Sequence, residues 1–218
     1  RRPPIYTLFP YTTLFRSPFG KLTLNDGVTL TVNGNFTINS DALSTGTFVQ
    51  LGNSTLNVAG NTSVNQYLTG SGSPAAPNGR MWYISSPVAN ATSNVFNAAS
   101  ASNKLWSYNE STFLYTEITN NTTALTVGSA FVARLGTTGN VTFTGGSLNN
   151  GSFSRSLTRT GTTNDKRGYH LLGNPYPSFV NPTTTMTNLA NNLTPTIWYR
   201  TSIGAAMKFE TFNYESGL

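Results

Sequence analysis

The chain has no cysteine and few charged side chains, and both shortages exclude classes of function. Without cysteine there is no disulfide scaffold and no thiolate metal site. Only 9% of the 218 residues are Asp, Glu, Lys or Arg, and there is a single histidine. Few groups therefore remain for acid–base or nucleophilic catalysis, and we expect no catalytic residue and no enzyme.

The chain also lacks a long hydrophobic run and a coherent basic surface. No stretch of about 18 consecutive apolar residues occurs, so we expect no transmembrane segment. The formal charge is +6, but Arg1, Arg2 and Arg16 lie in an anomalous N-terminal segment and the other cations are scattered. Because no basic stripe with stacking aromatic residues is present, we expect no nucleic-acid partner.

What the chain has in abundance is Thr, Asn, Ser and Gly. Thr favours strands because its branched Cβ suits a pleated surface, and the other three residue types favour tight turns. The hydrophobic content of 37%, with 13 Phe, 10 Tyr and 3 Trp, is enough to bury a core. This composition predicts an extracellular all-β protein that neutral polar side chains keep soluble.

Residues 1–17 read RRPPIYTLFPYTTLFRS and differ in texture from the rest of the chain. Prolines interrupt the apolar run and no small-residue cleavage site follows, so the segment is a poor signal peptide. Thr7–Ser17 resembles the in-frame translation of a common short-read sequencing adapter. We therefore interpret residues 1–17 as a non-native segment that packs poorly and contributes nothing to function.

An internal repeat follows this segment. Thr29–Asn39 (TLTVNGNFTIN) and Thr55–Asn65 (TLNVAGNTSVN) match at an offset of 26 residues. In each copy apolar and polar residues alternate, and Asn-Gly or Ala-Gly interrupts the alternation, which indicates short strands joined by sharp turns. Stacked β-solenoid-like strand repeats over residues 18–68 would explain the period. Two ordinary hairpins of one sheet are the alternative.

Residues 69–79, rich in Gly, Ser and Pro, form a predicted linker before a second domain. From residue 80 to residue 218 aromatic residues are frequent, which predicts a β-sandwich or jelly roll that is truncated at its C-terminus. Asn109–Thr112 is predicted to turn between two aromatic strands, and a short helix is expected around Met186–Asn191. The predicted strands are Arg80–Ser85, Lys104–Tyr108, Phe113–Ile118, Ala130–Leu135, Asn140–Thr144, Ser152–Thr158, Tyr169–Gly173, Ile197–Tyr199 and Ala206–Tyr214.

Several stretches carry a resemblance to a known family, and Gly173–Ser178 (GNPYPS) is the most specific of them. The others are Asn78–Val88, Asn103–Thr119, Thr123–Leu135, Leu157–Pro177 and Pro195–Arg200. From Gln66 onward the chain resembles secreted cell-surface proteins of Bacteroidota that carry a C-terminal sorting signal for the type IX secretion system. The resemblance implies a location outside the outer membrane and names no activity. This chain shows neither the export signal nor the sorting domain, so missing N- and C-terminal parts of the same polypeptide are its expected partners.

Aromatic residues are the best candidates for ligand binding, because flat rings match the apolar face of a sugar. The aromatic residues of interest are Trp82, Tyr83, Trp106, Tyr108, Tyr115, Trp198 and Tyr199. The residues selected from this set as a candidate site for extracellular glycan are Trp82, Trp106, Tyr108, Trp198 and Tyr199. The alternative is core packing, since Trp106 and Tyr108 share one face of a predicted strand and such rings are usually buried.

The block Gly173, Asn174, Pro175, Tyr176 and Pro177 is interpreted as a structural motif. Its two prolines fix φ twice and favour extended geometry at the residues before them, and Gly173 permits positive φ. We expect a rigid exit from a strand that pins a corner of the sandwich and buries Tyr176.

The titratable residues form no recognisable catalytic or metal site. His170 has no nearby nucleophile, so we expect a structural or surface role. Glu110 and Glu117 flank one predicted hairpin, but Glu110 is expected at an exposed turn, and one carboxylate pair is weak evidence for glycoside hydrolysis. We predict no metal and no cofactor. Calcium stays open as an alternative without a supporting motif, because Asn and backbone carbonyls can also bind it.

Together these patterns predict a non-catalytic structural or adhesive segment of a large secreted bacterial cell-surface protein. One alternative is a carbohydrate-binding module that uses exposed Trp and Tyr. Another is an accessory part of a polysaccharide-degrading enzyme whose catalytic domain lies elsewhere in the gene.

Overall fold

Strands and turns make up the structure, a computed structural model of the chain. It describes residues 5–8, 13–15, 20–70, 81–161, 168–181, 194, 196–203 and 206–213. These residues form fifteen strands and one short 3₁₀ helix, Ser93–Phe96. The predicted all-β class is confirmed. The chain divides into two compact units, Arg1–Ser178 and Phe179–Leu218, and each is described by itself.

Eight short strands at the beginning of the first unit form parallel ladders in three sheets. The first sheet has the order β1 (Ile5–Leu8), β4 (Thr29–Val32) and β7 (Thr55–Val58), the second contains β2 (Thr13–Phe15), β5 (Phe36–Ile38) and β8 (Thr62–Leu68), and the third pairs β3 (Lys21–Leu24) with β6 (Thr47–Gln50). Thr29 lies opposite Thr55 and Phe36 lies opposite Thr62, so the 26-residue offset of the sequence repeat is the register of these ladders. The two-hairpin alternative is wrong, because β4 and β5 lie in different sheets.

The alternation within the repeat places its apolar residues in the core. Leu30, Val32, Phe36 and Ile38 are each at most 4% exposed. Phe48, from the third sheet, meets Phe36 edge-to-face with ring centroids 5.3 Å apart. Burying an aliphatic or aromatic side chain of this size contributes about 1.5–3 kcal/mol, so this apolar row is the main support of the parallel ladders.

Polar side chains bond across the same 26-residue spacing. The Nδ2 atom of Asn65 donates to Oδ1 of Asn39 (2.5 Å), and the backbone N–H of Asn61 donates to Oδ1 of Asn35 (2.8 Å). Each repeat therefore satisfies polar groups of the next one, and a shift of the register by one residue would break these bonds.

The following strands are antiparallel and carry many of the aromatic residues. Four of them form the aromatic sheet, with the order β11 (Leu114–Glu117), β10 (Lys104–Asn109), β12 (Phe131–Arg134) and β9 (Trp82–Ile84). β10 and β11 pair around the predicted turn Asn109–Thr112, so that prediction is confirmed. β13 (Gly139–Phe143) instead joins the second sheet, antiparallel to β8. One buried cluster consequently contains Phe36 from the repeat and Phe131 from the aromatic sheet.

Two of the predicted strands are not formed in the described residues 151–161 and 168–173. Ser152–Thr158 has no ladder partner, and Tyr169–Gly173 contributes only an isolated bridge between Leu172 and Ser129. The physical reason is exposure: nearly every side chain of residues 151–161 faces solvent, so no apolar face exists for a neighbouring strand to cover. β6 is a strand that the repeat pattern did not predict.

The second unit contains one antiparallel pair, β14 (Thr196–Ile203) and β15 (Ala206–Asn213). These strands agree with the predicted strands Ile197–Tyr199 and Ala206–Tyr214. The helix expected around Met186–Asn191 and most of the predicted linker 69–79 lie outside the described residues. Among the helices of the described part, none is long and apolar enough to cross a membrane.

Candidate functional site

One face of the aromatic sheet gathers four aromatic side chains. Residues that lie opposite each other on neighbouring strands point to the same face, as do residues two apart on one strand. Tyr83 lies opposite Val132, which lies opposite Trp106, and Tyr108 lies opposite Tyr115. We call the set Tyr83, Trp106, Tyr108 and Tyr115 the aromatic face.

The aromatic face is partly open to solvent. Tyr115 is 50% exposed, whereas Trp106 and Tyr108 are half-buried. The rings of Tyr108 and Tyr115 are tilted by 54° with centroids 5.2 Å apart. An ion pair borders Trp106, with Lys104 Nζ 2.6 Å from Glu117 Oε1. Rings of this kind, edged by charged hydrogen-bonding groups, can stack on the apolar side of a sugar and orient its hydroxyls.

Trp82 lies on the opposite face of the aromatic sheet from Trp106. It is opposite the fully buried Ala133 and packs against the core cluster. Its Nε1 donates to the carbonyl of Thr69 (2.9 Å). The structure therefore brings together Trp106 and Tyr108 from the predicted ligand-binding set, with Tyr83 and Tyr115 beside them, and places Trp82 in a packing position.

Trp198 and Tyr199 belong to the second unit, on β14. They are 45% and 41% exposed, and as neighbours on one strand they point to opposite faces of the hairpin. The Tyr199 hydroxyl donates to Oε2 of Glu210 (3.1 Å), its cross-strand neighbour. The two rings therefore cannot form one flat platform with each other.

Glu110 is buried at the end of the β10–β11 hairpin, with 5% of its surface exposed, so the expectation of an exposed turn position is wrong. The backbone N–H groups of Thr160 and Gly168 donate to Oε1 at 2.8 and 2.7 Å. The hydroxyls of Thr160 and Thr158 donate to Oε2 at 2.7 and 3.2 Å. No local sequence pattern indicates this site, because its donors follow Glu110 by about 50 residues and none of them is itself charged.

These donors explain the electrostatics of Glu110. The backbone hydrogen bonds from Thr160 and Gly168, followed by the Thr160 hydroxyl, lower the pKa of Glu110 to about 2. Nearby, burial is the main cause that raises the pKa of Tyr108, and the negative charge of Glu110 adds to it. A carboxylate that stays ionised far below neutral pH is a poor proton donor or acceptor at neutral pH. The contacts of Glu110 hold Thr158, Thr160 and Gly168 against the end of the β10–β11 hairpin.

The GNPYP motif joins separate parts of the first unit through its backbone. The carbonyl of Pro177 accepts from the N–H of Phe48 on the third sheet (2.8 Å), and the carbonyl of Pro175 accepts from Nδ2 of Asn149 (2.9 Å). Oδ1 of Asn174 accepts the N–H two residues later (3.0 Å), which closes the turn. These contacts link an edge of the parallel strands to the loop after β13.

Three details of this motif differ from expectation. Gly173 does not adopt positive φ, and it is required instead because an added Cβ would lie 2.7 Å from Ser85 Oγ and 2.8 Å from Ser129 O. Tyr176 is half-buried rather than buried, and its hydroxyl donates to the carbonyl of Gly151 (2.6 Å). No strand directly precedes the motif in the described residues, so the expected strand exit is not formed. The motif is instead held by the close backbone approach that Gly173 permits and by the hydrogen bond of the Tyr176 hydroxyl.

The remaining titratable groups do not converge on a site in the described residues. His170 is half-buried, with Nε2 2.7 Å from the carbonyl oxygen and 3.1 Å from the backbone nitrogen of Thr158. No group of three or more His, Asp or Glu side chains within this part of the chain is placed to hold a metal ion. His170 therefore lies beside Thr158, one of the residues that Glu110 holds, and both of these contacts are to the backbone of Thr158.

Comparisons with known proteins identify a family for this chain and no function. A search of curated proteins and a search of solved structures each found no match. A family model described as "Domain of unknown function (DUF8693)" matches residues 10–216, a range that covers both compact units and begins within the 1–17 segment. The match spans nearly the whole chain, and the chain therefore belongs to the DUF8693 family.

Proposed function

We propose that this chain is a non-catalytic structural or adhesive segment of a large secreted bacterial cell-surface protein. The observation that carries the proposal is the polar ladder of the repeat, in which Asn65 bonds to Asn39 and Asn61 bonds to Asn35 across 26 residues. Side chains that are hydrogen-bonded in such ladders stabilise the neighbouring parallel strands and are not available for catalysis. A surface of neutral amides and hydroxyls also suits an extracellular module that meets variable ionic strength, because it depends little on screened charges.

The hydrogen bonds and the ion pair of the carboxylates also support a non-catalytic role. Glu110 is held by four donors and has a pKa of about 2. Glu117 is paired with Lys104, and Oδ1 of Asp26 accepts the backbone N–H of Asn53 (2.6 Å). Each of these groups maintains local structure.

Surface location and the lack of turnover are tested separately. Intact cells of the source organism are treated with a protease, and the released peptides are identified by mass spectrometry. Peptides of this chain are expected in the released fraction, while those of a cytoplasmic marker stay behind. In parallel the purified chain is screened against polysaccharide, ester and peptide substrates. A turnover that survives repurification and is lost in one point variant would contradict the non-catalytic assignment.

A second candidate function is carbohydrate binding, which the aromatic face favours. A glycan array with the whole chain is the first measurement. Trp106→Ala is expected to weaken any hit at least about tenfold, which corresponds to about 1.4 kcal/mol. Trp198→Ala tests the second unit in the same way, and Tyr169→Ala, at an exposed aromatic outside both positions, is the matched control. An accessory role beside a polysaccharide-degrading domain would be indicated if the hit is also the substrate of that domain.

A further inference from the structure

A large groove runs along the outer edge of β7. Its volume is about 1300 Å³, which exceeds the roughly 300–1,000 Å³ of ordinary small-molecule sites. Its lining includes Leu56 and Val58 of β7, together with Thr144, Leu148 and Asn150 from the chain that follows β13. We call this feature the β7 groove. Its shape is that of a channel for an extended ligand.

The backbone of β7 faces this groove with an open edge. Thr55 N–H donates to the carbonyl of Val28 and Ala59 N–H donates to that of Val32, both at 2.9 Å, on the β4 side. Successive N–H groups of a strand point to opposite edges, so those of Leu56 and Val58 point towards the groove. Within the described residues β7 is the last strand of the first sheet, which leaves these hydrogen-bonding groups available to a new strand.

The neighbouring sheet differs from the first sheet in having its edge occupied at this end. The second sheet continues past β8 with β13, whereas the first sheet ends at β7 in the described part of the chain. Thr142 of β13 and residues 144–148 line the groove opposite β7. A further repeat would need a strand beside β8, and β13 already occupies that position, whereas β7 has no further strand beside it in the described residues.

The lining also defines the chemistry of the ligand. None of the residues that line the β7 groove is charged, and most carry an amide or a hydroxyl. The existing ladder shows which side chains fit against β7: Thr29 faces Thr55, Leu30 faces Leu56 and Val32 faces Val58. We propose that the β7 groove binds an extended, uncharged peptide segment with aliphatic residues at alternate positions, which adds to β7 as a further strand.

This proposal does not depend on the proposed function, and it is tested with the whole chain. The probe is the capped hexapeptide Thr-Leu-Thr-Val-Asn-Gly, the sequence of residues 29–34, at about 1 mM. The control peptide has the same composition with Leu and Val adjacent. Amide hydrogen exchange measured by NMR is expected to slow by at least about tenfold at Leu56 and Val58 with the probe. The amides of Thr55 and Ala59 already donate to the β4 side and are expected to stay unchanged.

Two variants locate the binding site. Thr144→Arg places a long charged side chain in the groove and is expected to abolish the protection of Leu56 and Val58. Asn140→Arg adds the same side chain to an exposed position of β13 that does not line the groove, and it is expected to bind the peptide as the parent does. The proposal is overturned if the probe gives no protection, if the reordered peptide protects equally, or if Thr144→Arg has no effect. It is also overturned if cellohexaose protects these amides and the peptide does not, which would assign the groove to glycan.

Discussion

The parallel strands of residues 20–68 and the antiparallel aromatic sheet of residues 82–134 are stabilised by the same kind of core but organised differently. In the first region a residue lies beside the equivalent residue of the neighbouring repeat, as Leu30 lies beside Leu56. In the second, neighbours come from unrelated positions, as Phe131 lies opposite Ile84. A repeated sequence carries its own register, because each copy fits its neighbour in one way. A sheet without repeats takes its register from the packing of the whole unit.

The two regions nevertheless share one buried cluster. β13 comes after the aromatic sheet in the chain but pairs with β8 of the repeat, and its Phe143 is fully buried against Phe96 with ring centroids 5.7 Å apart. Phe36 is buried in the same cluster on the repeat side. We therefore expect the two regions to unfold together, although their strand arrangements differ.

The largest losses of stability are expected from removing the rings of Phe36 and Phe143. Phe36→Ala and Phe143→Ala should each destabilise the protein by about 3–5 kcal/mol, because each leaves a cavity in close-packed surroundings. Both variants should lower the same single transition in calorimetry or urea unfolding. Two separate transitions, with each variant affecting only one, would show that the regions fold independently and would contradict the shared core.

Much of the repeat could be predicted from the sequence, and little of the long-range packing could. The match between Thr29–Asn39 and Thr55–Asn65 contains both the alternation and the register, so the ladder positions followed from it. The pairing of β13 with β8 could not be predicted, since Val141 and Phe143 fit any apolar sheet face equally well. Local patterns report which side of a strand is buried, and not what covers it.

The candidate site shows the same limit. The alternation in β10 correctly placed Trp106 and Tyr108 on one face. Whether that face was core or surface depended on what packs against it, which no local pattern contains. Glu110 is the clearest failure, because a Glu in a predicted turn is ordinarily solvated, and its burial depends on Thr160 and Gly168 far along the chain.

The next prediction concerns this buried carboxylate. The folded-state pKa of Glu110 is about 2, below its ordinary value of 4.5, so its ionised form stabilises the folded state. This stabilisation is complete above pH 4.5 and is lost as the pH falls towards 2. Glu110→Gln should therefore be less stable than the parent at pH 7, and the difference should shrink between pH 4.5 and 2. Chemical denaturation across this pH range is the measurement.

The control is Glu117→Gln, which removes a carboxylate that is exposed and paired with Lys104. A surface pair of this kind contributes about 0–1 kcal/mol, so this variant should change neutral-pH stability little. If Glu110→Gln follows the parent at every pH, the four hydrogen bonds to the carboxylate do not stabilise the fold.

The GNPYP motif should give a smaller loss. Gly173→Ala introduces a Cβ that lies 2.7 Å from Ser85 Oγ and 2.8 Å from Ser129 O, and overpacking of this kind costs about 1–3 kcal/mol. Gly139→Ala is the matched control, since a Cβ there meets no atom within 4 Å. The control should stay within about 0.5 kcal/mol of the parent. Equal losses in both variants would show that backbone freedom, and not close approach, explains Gly173.

The smallest changes in unfolding free energy are expected in the polar ladder. Variants there also test most directly whether the repeat is coupled to the strand that follows the aromatic sheet. Asn39→Ala and Asn65→Ala each remove one partner of a 2.5 Å bond and should cost about 0.5–1.5 kcal/mol. Asn65 also accepts from Thr142 Oγ1 of β13 (2.7 Å), so it joins the repeat to the strand that follows the aromatic sheet. In a double-mutant cycle, Asn39 with Asn65 and Thr142 with Asn65 should both show coupling of at least about 0.5 kcal/mol. Coupling only between Asn39 and Asn65 would mean that the side-chain ladder stabilises the repeat alone, and that backbone pairing with β8 and apolar burial hold β13 in place.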